Sequence, residues 1–217
     1  DVVQSGGQGG QTSIFMRAQG SASTLVIIDG VEVNPALAGG FDFGDLTLDN
    51  IERIEVLRGP QSIQWGADAV GGVINIVTKK GAGSPTQSLT FEAGSFGTFN
   101  QSIRSSGSFD NFDYSLSASL RTTDGISALN KESGGTEADG SINKTISARL
   151  GYNFSLDTNW QFITRYIKSL DEFDNVNGQF SSFNNDNNNS NNVDEFYLSA
   201  PFQTNFGGWW DLKLTPT

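Results

Sequence analysis

The chain has 217 residues, of which 36% are apolar, 26 are glycine and 16 are phenylalanine. Its formal charge of −11 comes with no block of clustered lysine and arginine, which argues against nucleic acid as a partner. Cysteine and histidine are both absent, so thiol chemistry, disulfides, histidine acid–base catalysis and ordinary zinc sites are excluded.

Apolar runs such as Leu25 to Ile28 reach about five residues, against the roughly 20 of a membrane helix. The opening DVVQSGGQGG has neither the basic region nor the apolar core of a signal peptide and is expected to lie inside a longer chain. Residues 1 to about 80 mix short strands, turns and one candidate helix. In TLVIIDGVEVN, an apolar run meets Asp29-Gly30 and then an alternating Val31/Val33 segment. Asp-Gly between such runs predicts a hairpin, because a type I′ turn needs positive φ at both central positions. LDNIERIEVLRGP predicts a turn or helix start near Asp49 or Asn50, then a strand from Ile54 to Leu57 that Gly59-Pro60 stops. A further strand runs from Val73 to Val77, and the unit reads as small and α+β.

From about residue 86 the period becomes two. Phe112, Tyr114, Leu116, Ala118 and Leu120 share one face, with Asp113, Ser115, Ser117, Ser119 and Arg121 on the other. Residues 142–154 repeat this, Ile142, Ile146, Ala148, Leu150, Tyr152 and Phe154 opposing Asn143, Thr145, Ser147, Arg149 and Asn153. Lys144 is the exception on the apolar face. Trp160, Phe162 and Tyr166 continue the pattern, as do Phe196, Leu198, Ala200, Phe202 and Phe206, with weaker strands near 87–94 and 98–106. Trp210, Leu212 and Leu214 begin another strand. Pro201 falls within a strand and predicts a bulge or a break.

Alternation alone fits either a soluble sandwich with its apolar face buried or a membrane barrel with that face on lipid. Two features favour the barrel. Connections alternate between short (107–111, 155–159, 207–208) and long (124–141, 170–192), as on the two rims of an up-and-down barrel. Aromatics flank each short turn: Phe109 and Phe112, Phe154 and Trp160, then Phe206, Trp209 and Trp210. Such residues concentrate at a membrane–water boundary.

The blocks IFMR, TLVIIDGVEVN, DNIERIEVLRGPQS and WGADAVGGVINIVTKK, in this order over residues 14–80, resemble the plug of TonB-dependent outer-membrane receptors. The resemblance implies a plug domain over 1–80 and, over 81–217, the first six or seven strands of a 22-stranded transmembrane barrel with a plugged lumen. On this likeness the chain is a fragment, lacking the preceding segment through which TonB is contacted. GGQGGQTSIFMR, EADGSINKT and NWQFITRYIKSLDEFD narrow the resemblance to the cobalamin (corrinoid) transporter. Departures are Ala18 where a Gly is usual, Trp65 for Tyr, and Gln11 for an apolar residue.

The resemblance implies that Arg17 and Arg58 face barrel-wall carboxylates inside the lumen. It implies substrate contacts at Gln11, Ser13, Gly20, Ala38 and Gly39, and calcium ligands at Glu137, Asp139, Asp174 and Asp194, with Ser127 standing where a further Asp is expected. Calcium takes 6–8 oxygens, which carboxylates from two facing loops could supply; the plainer reading of all these positions is solvated loop. NNDNNNSNN (184–192) is low-complexity and expected at a mobile loop tip. No enzyme constellation is present: GADAVGG lacks the Gly-Lys-Ser/Thr ending of a phosphate loop, and Asp171 and Glu172 are mere neighbours. The expected function is TonB-dependent uptake of a scarce nutrient across the bacterial outer membrane. A corrinoid is the first choice and a ferric siderophore the second. The rival from another class is a soluble secreted β-rich binding module; a passive porin is disfavoured, because porins carry no such plug.

Overall fold

The structure is a computed structural model that describes residues 1–35, 40–127, 138–173, 189–206 and 210–214; the side chains of 64, 206, 210, 211 and 213 are not described. A short pair, β1 (Val2–Gln4) and β2 (Thr12–Ile14), precedes a four-stranded sheet of order β4-β3-β6-β5. In that sheet β3 is Thr24–Ile28, β4 Val31–Glu32, β5 Ile51–Arg58 and β6 Gly72–Thr78. Every residue of β3 is buried, as an apolar run covered on two faces requires. The predicted hairpin forms: Ile28 pairs with Val31 across Asp29 (φ 49°) and Gly30 (φ 88°). The core of the unit gathers Met16, Val26, Ile28, Phe41, Ile74 and Ile76.

Near Asn50 there is a turn, closed by the Ile51 amide donating to the Leu48 carbonyl at 3.1 Å, and no helix. The helical turn comes later, as α1 (Ser62–Trp65) beyond Pro60, ended by Gly66 at φ 87°. That φ lies in the region open to glycine and costly for other residues.

Beyond Thr78 the chain builds one antiparallel sheet of consecutive neighbours. Its strands are β7 (Thr86–Ala93), β8 (Phe99–Phe109), β9 (Phe112–Thr123), β10 (Ser141–Asn153), β11 (Thr158–Phe173), β12 (Asn189–Ser199), β13 (Phe202–Phe206) and β14 (Trp210–Leu214). Pro201 breaks the ladder without a bulge: Ile163 pairs with Ser199 and Trp160 with Phe202, so the register runs through unchanged. Pro201 still accepts from the Gln161 amide at 2.9 Å; only its missing N–H is lost. β12 and β13 are therefore halves of one wall strand, and seven wall strands are described. Two loop expectations are corrected. Asn189–Asn192, read as loop tip, belong to β12 and pair with Leu170–Phe173, and Asp171 lies in β11 rather than in a loop. Residues 184–188 lie outside the described ones.

The wall is inverted relative to a soluble protein. On β10 the polar Asn143 (0% exposed), Thr145 and Ser147 are buried, while Ile142, Ile146 (59%) and Tyr152 are exposed. On β9, Ser115 is 0% exposed and Leu116 43%. A soluble β module would leave this continuous apolar face in water, so that alternative is excluded; hydrocarbon covers it at no such cost. Phe109, Phe112, Phe154 and Trp160 are exposed at the short-turn rim, where Tyr152 and Phe154 pack edge-on at 4.9 Å. These residues form the girdle expected at a membrane boundary.

Candidate functional site

The inner faces of β9–β11 hold the plug through a polar seam. From the wall, Arg149 Nη1 donates to Asp29 Oδ1 at 3.3 Å and to the Thr78 carbonyl at 3.0 Å, and its Nη2 donates to Gln161 Oε1 at 2.9 Å. Asp29 is 2% exposed in its side chain and also accepts from the Thr78 amide and hydroxyl, at 3.0 and 2.6 Å. The residue that makes the hairpin turn thus also anchors β6 and receives the wall cation. Arg121 Nη2 donates to the Gly44 carbonyl at 2.8 Å. Arg165 Nη2 reaches the Thr47 hydroxyl at 3.1 Å. Asn143 Nδ2 donates to the carbonyl of buried Asp45 at 3.1 Å, and Asn50 Nδ2 to Ser147 Oγ at 2.9 Å. Plug segment 44–50 is consequently gripped from three neighbouring strands. Tyr197, whose hydroxyl donates to Glu195, packs on the plug core.

Above the seam, on the side of the long connections, the glycine-rich segment 5–11 and the ends of β11 and β12 enclose a cavity of about 550 Å³. Gln11, Asp42, Asp139, Asp171 and Glu172 line it. Asp171 accepts from Ser141 Oγ at 2.6 Å and Ser169 Oγ at 3.1 Å. Gly9, at φ 91°, lies directly over this pair: a Cβ there would come within 2.4 Å of Asp171 Oδ1 and Ser141 Oγ. Glycine is therefore required at the apex, for its φ and for its closeness to the wall. A second cleft, of about 570 Å³, separates plug residues Thr47–Asp49 and Lys79 from Ser88, Glu92, Arg104 and Ser119 of the wall.

Of the expected substrate contacts, Gln11 lines the mouth cavity, Ser13 is half-buried in β2 and Gly20 is exposed with open space around it. Ala38 and Gly39 lie outside the described residues. Arg17 and Arg58 are exposed, and neither forms an ion pair among the described residues. Arg17 instead lies over Gly59, its Nη1 3.0 Å from where a Cβ would stand. In the described seam the arginines Arg121, Arg149 and Arg165 are on the wall and donate to acceptors on the plug. Among the described residues, Lys80–Asp113, at 3.4 Å, is the one ion pair between plug and wall with its cation on the plug side. Ala18, where the resemblance expects a glycine, has φ 60°.

Of the four carboxylates expected for calcium, Asp139 and Asp194 are described. Asp139 is buried at the mouth, whereas Asp194 is on the outward face of β12, 3.8 Å from Lys168. Glu137 and Asp174 lie outside the described residues. Among the described residues no group of three carboxylates could hold a metal ion.

Residues 1–73 match the TonB-dependent Receptor Plug Domain family. Solved structures extend the likeness over the wall. The siderophore receptor PirA from Acinetobacter baumannii superposes with a TM-score of 0.71 at 23% identity, over 99% of this chain and 35% of that one. The ferripyoverdine receptor of the Pseudomonas aeruginosa outer membrane gives 0.73 at 18%, over 99% and 29%. A variant of the ferric enterobactin receptor PfeA from Pseudomonas aeruginosa gives 0.66 at 21%, over 94% and 35%. At such identities the likeness is one of fold. The chain spans about a third of the length of these receptors. Plug and lipid-facing wall together place it in the bacterial outer membrane.

The wall arginines were hidden among ordinary polar-face residues. Arg121 and Arg149 are assigned to the hydrophilic face by alternation, but nothing in that pattern says that a plug carbonyl stands opposite. Gly9 and Asp171 had a weak signal each, a glycine-rich run and an acidic residue closing a strand.

Proposed function

We propose that this chain serves TonB-dependent import of a ferric siderophore across the outer membrane. The observation that carries the reading is the polar seam: a plug domain held by hydrogen bonds to the inner face of a wall whose outer face is lipid-exposed. The solved structures with this fold reported above are siderophore receptors, which ranks that ligand class above a corrinoid. Ligand is captured at the mouth beneath the long connections, where the glycine-rich apex and Gln11 are presented. Energy delivered through TonB then loosens the seam at segment 44–50. The cleft against β7–β9 gives the plug room to shift once the Arg121 and Lys80 contacts to β9 are released.

The test is equilibrium binding and energised uptake by outer membranes carrying the full-length gene product. Iron-labelled siderophores of several chelating classes and labelled cobalamin are compared, with and without calcium. Saturable siderophore uptake that disappears without TonB is the expected result. Cobalamin uptake with no siderophore uptake would overturn the ligand class and restore the corrinoid reading. TonB-independent flux of either ligand would overturn the mechanism.

A further inference from the structure

Lys144 is the one residue that breaks the apolar face of β10, and its surroundings give it a purpose. It is exposed, and the residue directly opposite on β11 is Lys168, also exposed. Both lie on the lipid side of the wall, in phase with Ile142, Ile146 and Leu170. Like charges directly opposite on neighbouring strands repel, and a lysine among lipid-facing residues is costly unless it reaches the interface. Lys144 forms no ion pair among the described residues, and Lys168 has only the long contact of 3.8 Å to Asp194, with both partners more than half exposed. Tyr166 stands beside them, two residues from Lys168 on the same face of β11.

Height on the wall identifies what they face. Lys144 and Lys168 are each eight residues up the strand from Tyr152 and Trp160, which are paired in the short-turn girdle. At about 3.3 Å per residue that is ~26 Å along the strand, or ~20 Å along the membrane normal for a tilt of about 40°. The apolar band of such a barrel is about 25 Å tall. The ammonium groups, extended on their flexible stems toward water, therefore emerge at the upper edge of the band. This edge is on the side of the long connections, the outer leaflet.

We propose that Lys144 and Lys168 form a docking site for a phosphate of an anionic glycolipid of that leaflet. Two adjacent ammonium groups on a chain of net charge −11 supply the complementary charge. Tyr166, two residues below Lys168 and opposite Ile146, adds an aromatic ring against the glycolipid's acyl chains, and Asp194 weakens the site by competing for Lys168. This inference rests on the membrane orientation of the wall and is independent of which nutrient is carried.

The test is titration of the detergent-solubilised full-length protein with bisphosphorylated lipid A, read by native mass spectrometry. Lys144→Met and Lys168→Met retain a long apolar side chain suited to lipid, so the wall stays intact. Each is expected to weaken binding about fivefold, and the double variant more than tenfold. Lys→Arg at either position retains binding, and Asp194→Asn tightens it. Dephosphorylated lipid A binds the unaltered protein no better than bisphosphorylated lipid A binds the double variant, and inorganic phosphate at the same concentration does not compete. Equal binding by the double variant overturns the proposal, as does equal binding of the two lipids or displacement by free phosphate. In the first two cases the lysines merely extend to water; in the third the site is one for the ion alone.

Discussion

Arg149→Met is the sharpest probe of how the plug is held. It removes three donations, to Asp29, the Thr78 carbonyl and Gln161, of which the first two cross from wall to plug. A hydrogen bond involving a charged group contributes about 1.5–3 kcal/mol, and breaking a buried ion pair from one side costs about 3–5 kcal/mol. Two features lower the figure: the Arg149 side chain is 13% exposed, and Asp29 keeps its bonds from the Thr78 amide and hydroxyl. The expected cost of freeing the β3–β6 pair from the wall is therefore about 2–3 kcal/mol, close to two decades of protection at 1.4 kcal/mol per decade. Hydrogen exchange read by mass spectrometry on the full-length protein in micelles measures it directly, on the amides of Thr24–Ile28 and Gly72–Thr78. Asp29→Asn completes a double-mutant cycle, since asparagine tolerates the φ of 49° at this turn. The two changes should couple by at least about 1 kcal/mol. Additivity within about 0.3 kcal/mol, or protection unchanged by Arg149→Met, would show that the seam is not what retains the plug.

Ile146→Lys places a charge on the lipid face near mid-height and should cost about 2–4 kcal/mol in a membrane; a position 59% exposed to water would tolerate it almost freely, so denaturant midpoints in bilayers decide between the two. Gly9→Ala forces a Cβ to within 2.4 Å of Asp171 and Ser141 and should lower ligand affinity at the mouth at least tenfold, with global stability falling by about 1–3 kcal/mol; wild-type affinity would remove the apex from the site. Ala18→Gly relieves a left-handed residue at φ 60°, and against the entropy glycine adds to the unfolded chain it should stabilise the plug by about 0.5–1 kcal/mol, a gain visible in urea midpoints and absent if the turn is already relaxed. Glu55 is held below its ordinary carboxyl value first by the Arg53 side chain and then by Asn75. Its link between β5 and β6 is therefore present above the ordinary value and lost as pH falls through the lowered one, and Glu55→Gln should remove that acid sensitivity from exchange at Asn75.

Local geometry was legible wherever one residue type demands one conformation. Asp29-Gly30 announced its turn because few other pairs accept positive φ twice, and the alternation from Phe112 to Phe154 announced strands because only a period of two sorts Ser115 from Leu116. What lay beyond reach was contact between distant segments. Asp29 and Arg149 are 120 residues apart, and neither alternation nor composition reveals that they meet. The plug resemblance implied cations on the plug at Arg17 and Arg58, and nothing in it pointed to the wall arginines that form the described seam. Polar runs misled in a second way. Asn189–Asn192 look like loop, yet they extend the β11–β12 ladder, because strand pairing uses backbone groups that asparagine possesses like any other residue.

The chemistry of the seam bears on how a plug can be both firmly placed and removable. An apolar contact of similar extent would gain about 25 cal/mol per Å² buried, and separating it would forfeit all of that to water. Hydrogen bonds differ, since each is worth only about 0.5–1.5 kcal/mol net once water replaces the lost partner. The bonds donated by Arg121, Arg149 and Arg165 are worth more, about 1.5–3 kcal/mol each, yet each ends on its own carbonyl or hydroxyl of the plug. Water entering between segment 44–50 and the wall replaces them one at a time. In the import reading, opening therefore proceeds contact by contact and never meets the cost of the whole seam at once.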